Sequence, residues 1–167
     1  MPSNERIRER LNGLLAIDLL TGKEYLKLEP KAKTIDIANY FENITIDLML
    51  ENPQLEIIHL FLDNNPTHKK KMESLLNQQL QDLYQFKNLT QRPPTIELNY
   101  FAPYTPNDNP VEYGIRLIRQ LALHHLPINT TLEQIKTLLE RKIQNLTFMT
   151  KDKLDHILSY ILVAGRE

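Results

Sequence analysis

The chain has 167 residues, 41% of them hydrophobic and 25% charged, with a formal net charge of -1. This is the composition of an ordinary folded domain with length enough for a real core, and the near-zero charge withholds the overall basicity that marks many nucleic-acid binders. The absence of cysteine excludes disulfides, thiolate catalysis and the common structural zinc sites, and it fits a reducing cytoplasm.

Taken in order, Met1 to Arg10 is polar and without period, and it does not read as a signal peptide. Leu14 to Leu20 is an apolar run, Thr21-Gly22 a tight turn, and Lys23 to Leu28 an alternating run, which together predict a hairpin whose first strand is the more buried. Pro30 ends it. Thr34 is a good N-cap for a helix carrying Ile35, Ala38, Phe41, Ile44, Ile46, Leu48 and Met49, stopped by Asn52-Pro53. Ile57 to Leu62 is an apolar run that predicts a short buried strand closed by Asp63. The long connection before it suggests a parallel, right-handed crossover from the hairpin.

After the Pro66 turn a helix runs through Lys71, Leu75, Leu76, Leu80 and Leu83, and Thr95 to Phe101 alternates as a strand. Ala102 to Pro110 is rich in Pro, Asn and Asp and predicts an ordered loop. From Pro110 a helix carries Glu112, Val111, Ile115, Leu117, Ile118, Leu121 and Ala122 as far as Pro127. Thr130 with Glu133 reads as a capping box opening a helix over Leu132 to Ile143, and Leu154 to Val163 forms a last helix before Gly165. No apolar run approaches the ~18 residues of a membrane span, so no membrane contact is expected. The expected fold is α/β, a mixed sheet flanked by helices, with 11–126 as a core and 127–167 as a helical extension.

Two acids stand at changes of local structure, Asp63 at a strand end and Glu112 at a helix start. Carboxylates in such positions can share a divalent metal, because Mg²⁺ takes hard oxygen ligands. Each also has a plain structural explanation, Asp63 as a turn residue and Glu112 as a first-turn acid favoured by the helix dipole. Basic groups at Arg6, Arg8 and Arg10, at Lys69 to Lys71, and at Arg141, Lys142, Lys151 and Lys153 read as solvated helix faces. His124 and His125 are adjacent, so they face different sides of a helix and make a poor metal pair.

The segment Asp63-Asn64-Asn65-Pro66-Thr67-His68-Lys69-Lys70 resembles the Asp-Asn-Ala-x-x-His-Lys block of DDE transposases. Phe101-Ala102-Pro103-Tyr104-Thr105-Pro106-Asn107-Asp108-Asn109-Pro110-Val111-Glu112 resembles their Leu-Pro-Pro-Tyr-Ser-Pro-x-Leu-Asn-Pro-Ile-Glu block, in the mariner-related branch of bacterial insertion-sequence transposases. The resemblance spans about Leu11 to Arg119. It implies a ribonuclease H-like fold in which Asp63 and Glu112 are the second and third acids of a triad holding two Mg²⁺ ions. Asn64 and His68 would line the site and meet substrate phosphate, and Asn109 would brace the loop presenting Glu112. The partners implied are DNA, as transposon ends and target, together with an upstream-encoded transposase subunit or further copies of the chain.

The sequence departs from that pattern at its start. The family has one more strand ahead of the hairpin, carrying the first acid, so the expected fold is truncated by one N-terminal strand, with extra carboxyl-terminal helices. Asp18 could be promoted to first acid, but it lies just before the Thr21-Gly22 turn. The expectation is a partial catalytic domain for Mg²⁺-dependent DNA cleavage and strand transfer that is inactive alone. The rival is a non-catalytic module that binds a protein partner or transposase subunit. A carboxylate-pair glycosidase is disfavoured by the lysines that follow Asp63.

Overall fold

A computed structural model of the chain describes residues 11–29, 33–63, 70–101, 109–145 and 148–164. It is α/β, and it divides into two compact units, one joining the chain up to Lys31 with Pro110–Glu167 and the other formed by Ala32–Asn109.

In the first unit, β1 (Asn12–Ile17) and β2 (Glu24–Glu29) form an antiparallel pair in which Asn12 faces Glu29 and Ile17 faces Glu24. The predicted hairpin forms, but its turn is longer than Thr21-Gly22, running from Asp18 to Lys23. Asp18 organises it: one carboxylate oxygen accepts the Leu20 N–H at 2.9 Å, the other accepts the Thr21 hydroxyl at 2.5 Å, and the Asp18 N–H donates to the Lys23 carbonyl at 2.9 Å. Gly22 takes φ of 78°, open to glycine at little cost, and a Cβ there would lie 3.2 Å from the Met149 carbonyl oxygen and the Lys151 nitrogen. Contrary to expectation β2 is the more buried strand, because Glu24 and Leu28 are its inward residues, whereas β1 begins exposed.

The helix α3 (Pro110–Ile118) buries Pro110, Gly114 and Ile118, one residue per turn, and Gly114 brings its backbone against Leu15 and Ile17 of β1. It does not run straight to Pro127. Residues Arg119–Leu123 widen into a π turn, closed by the His124 N–H donating to the Arg119 carbonyl at 3.0 Å, and this keeps Ala122 buried. The helix α4 (Leu132–Asn145) starts at Leu132 as predicted, but its capping box lies one residue later than Thr130 and Glu133. Thr131 and Gln134 make the reciprocal bonds, 3.2 Å from the Gln134 N–H to the Thr131 hydroxyl and 2.9 Å from the Thr131 N–H to the Gln134 side chain. Thr130 instead caps a turn on the Pro127 carbonyl. Finally α5 (Lys151–Ala164) opens three residues before Leu154. Leu28, Ile118, Ala122, Leu139 and Phe148 form the buried core, so α4, expected in the extension, shares a core with the hairpin.

The second unit holds α1 (Thr34–Glu51), β3 (Ile57–Leu62), α2 (Lys70–Phe86) and β4 (Thr95–Tyr100). Thr34 is not the cap of α1: Lys33 takes that position, and its N–H donates to the Asp36 carboxylate at 2.8 Å. The α1 face that is buried is Ile37, Ala38, Tyr40, Phe41, Ile44 and Thr45, while Ile35 is exposed. In α2, Met72, Leu76, Leu80 and Tyr84 recur every fourth residue and are buried. Strands β3 and β4 are parallel, with Ile57 beside Thr95 and Leu62 beside Tyr100. The parallel crossover therefore runs across α2, and not from the hairpin across α1 as the connection length suggested. No single mixed sheet is formed among the described residues; each unit holds its own pair of strands. Nor is β3 buried on both sides, since Ile58 and Leu62 are covered while Ile57, His59 and Phe61 face outward.

Candidate functional site

Asp63 directly follows β3 at the carboxyl end of the parallel pair, and it is exposed. The local cause is the end of the apolar run: Leu62 is the last buried side chain of β3, and a short polar residue takes the strand end. The carboxyl end of parallel strands is where α/β folds commonly place ligands. Beyond it, Asn64 and His68 lie outside the described residues, as do Lys69 and most of the Pro-Tyr-Thr-Pro loop.

Glu112 is in the first turn of α3 and exposed, two residues before Gly114 on the buried stripe. Asn109, the residue before that helix, is half-buried. Pro110 explains the start, because proline at the first helical position gives up no hydrogen bond. Glu112 then meets the positive end of the helix dipole with its carboxylate open to solvent. Asp63 and Glu112 belong to different compact units, and each is placed only within its own. Among the described residues no group of three or more acidic or histidine side chains gathers as a metal site. Two exposed carboxylates are suitable oxygen donors for Mg²⁺.

Asp18 lies in the hairpin turn. Both of its oxygens are engaged in the hairpin turn, the ordinary work of an aspartate before Thr-Gly. His124 and His125 are both exposed just past the π turn. The basic residues near the carboxyl end are partly committed as well. The Lys142 ammonium donates to the Leu121 carbonyl at 3.2 Å, and Lys151 donates to the Leu19 carbonyl at 3.3 Å and pairs with Asp155.

One titratable group escaped the sequence reading. Glu24 opens β2 with its side chain buried, and a single oxygen accepts the Phe148 N–H at 2.6 Å and the Met149 N–H at 3.1 Å. Its other oxygen meets no hydrogen-bond partner among the described residues. Burial pushes its pKa up, against the opposing pull of the two backbone N–H groups and of the Lys153 charge. In sequence Glu24 stood in an alternating polar and apolar run, so only its partners, more than a hundred residues away in the chain, reveal it. The contacts make it a clasp between the hairpin and the segment leading into α5. Comparison of the chain with protein-family models and with curated proteins gave no match.

Proposed function

We propose that the chain is the carboxyl-terminal part of a DDE-type transposase catalytic domain with a ribonuclease H-like plan, acting with DNA ends and target DNA. The observation that carries the reading is positional. Each of the two transposase-like blocks ends or begins on an exposed carboxylate at an element boundary, Asp63 at the carboxyl end of a parallel strand and Glu112 in the first turn of α3. Asp63 and Glu112 would hold Mg²⁺ as the second and third acids. Paired ions of this kind stabilise the attacking and leaving oxygens of an in-line phosphoryl displacement. Asn64, His68 and Asn109 would orient phosphate and the Glu112 loop.

The first acid is not assigned to a residue of this chain, since Asp18 is engaged in its turn. The proposal is therefore of a partial site, with two acids of a triad assigned and silent without the third. Titration with Mn²⁺ as a paramagnetic stand-in for Mg²⁺ tests this. Weak binding that is lost in both Asp63→Ala and Glu112→Ala supports it, while binding unchanged in both variants refutes it. In the absence of a partner the purified chain should leave transposon-end DNA uncut with Mg²⁺, and cutting by the chain alone would show that the site is complete.

A further inference from the structure

The two edges of the parallel pair in the second unit are finished differently. On β4, the residues whose backbone faces away from β3 are already served by α2: the Ile96 N–H donates to the Asn77 side-chain oxygen at 2.9 Å, the Asn77 amide donates to the Ile96 carbonyl at 3.0 Å, and the Leu98 N–H donates to the Glu73 carboxylate at 3.0 Å. Side chains from the covering helix thus close that edge to any further strand.

On β3 the edge is open. The Thr95 N–H bonds the Glu56 carbonyl and the Phe101 N–H bonds the Leu62 carbonyl, so even-numbered residues of β3 face β4. Ile57, His59 and Phe61 then turn their N–H and C=O groups outward, and among the described residues none of these groups meets a partner. The same residues project their side chains onto the uncovered face, where Ile57 is 46% and Phe61 51% exposed. Parallel strands are ordinarily covered on both faces, and an open apolar edge is the usual template for another strand.

We infer that this edge is an interface for a second copy of the chain, formed by β3 pairing antiparallel with itself about a two-fold axis through His59. The pattern Ile57-x-His59-x-Phe61 reads nearly the same in both directions. Centring on His59 sets Ile57 of one copy opposite Phe61 of the other, and makes all three outward residues hydrogen-bonded pairs that exchange both backbone groups. Centring one residue either way sets His59 against Phe61 or Ile57 and wastes the match. In the four-stranded sheet β4-β3-β3-β4 the apolar side chains fall on the two inner strands, and the polar Thr95, Glu97 and Asn99 on the outer ones. Each His59 keeps its own Glu97 at 3.3 Å, so a row of acid, imidazole, imidazole, acid crosses the axis without opposing two acids. Glu56 and Asp63 likewise fall opposite Leu62 and Leu55, not opposite one another. The inference does not rest on the transposase reading.

The chain has no cysteine, so one introduced thiol reports the register. In the dimer a hydrogen-bonded pair at position 59 has Cα atoms about 5.5 Å apart, within the disulfide range of about 4.4 to 6.8 Å. Position 97 is one strand further out on each copy, so its two copies are about three spacings of ~4.8 Å apart. The full chain should sediment as a dimer at micromolar concentration, and His59→Cys should cross-link under mild oxidation about tenfold faster or more than Glu97→Cys. The double variant Ile57→Lys, Phe61→Lys, altered only at exposed positions, should be monomeric with an unchanged circular dichroism spectrum. A monomeric wild-type chain overturns the inference, whether or not it takes up an extended peptide from another protein. Equal cross-linking at 59 and 97 overturns it as well, because the dimer would then form elsewhere.

Discussion

Glu24 is the residue whose placement has the clearest consequence in solution. Its folded-state pKa is raised above the ordinary glutamate value of 4.5, chiefly by burial. The folded state therefore binds this proton more tightly than the unfolded state. The group's contribution to stability is fully present below the unfolded value and is lost as pH rises through the raised folded value. The melting temperature of the wild type relative to Glu24→Gln should accordingly increase as pH is lowered from neutral towards that window, and a difference independent of pH would contradict the assignment. Gly22 is the second such position. Gly22→Ala forces a side chain into a left-handed φ and against the backbone at Met149 and Lys151, so it should cost about 1–3 kcal/mol in denaturant unfolding.

At the scale of elements, α2 performs two tasks with adjacent stripes of its surface. Met72, Leu76, Leu80 and Tyr84 bury one stripe, while Glu73 and Asn77 reach the backbone of β4. Replacing Asn77 by leucine leaves the N–H and C=O of Ile96 without their partners, and a loss of ~1–3 kcal/mol is expected from unsatisfied buried backbone groups. Hydrogen exchange at the Ile96 amide checks this directly, since its protection should fall before that of residues bonded to β3. Of that stripe only Leu76 and Leu80 were legible in the sequence, which gave Lys71, Leu75 and Leu83 in place of Met72 and Tyr84. Its polar companions were not, because an asparagine on a helix carries no mark of which strand it will meet.

For the whole molecule, two compact units with separate cores predict separable responses to mutation. Gly22→Ala should speed amide exchange in β1, β2 and α4 and leave α1, α2 and β4 unchanged; a uniform increase would mean that the chain unfolds as one cooperative body. The sequence by itself determined the kinds and order of elements, the acids Asp63 and Glu112 at their boundaries and a hairpin turning near Thr21-Gly22, because periodicity, proline and turn chemistry act over a few neighbouring residues. Only the tertiary structure decided that the strands pair as two separate sheets, that one face of β3 stays open, that the last helices join the hairpin, and that Glu24 is buried. Those outcomes depend on contacts between residues far apart in the chain, where no local pattern records the partner.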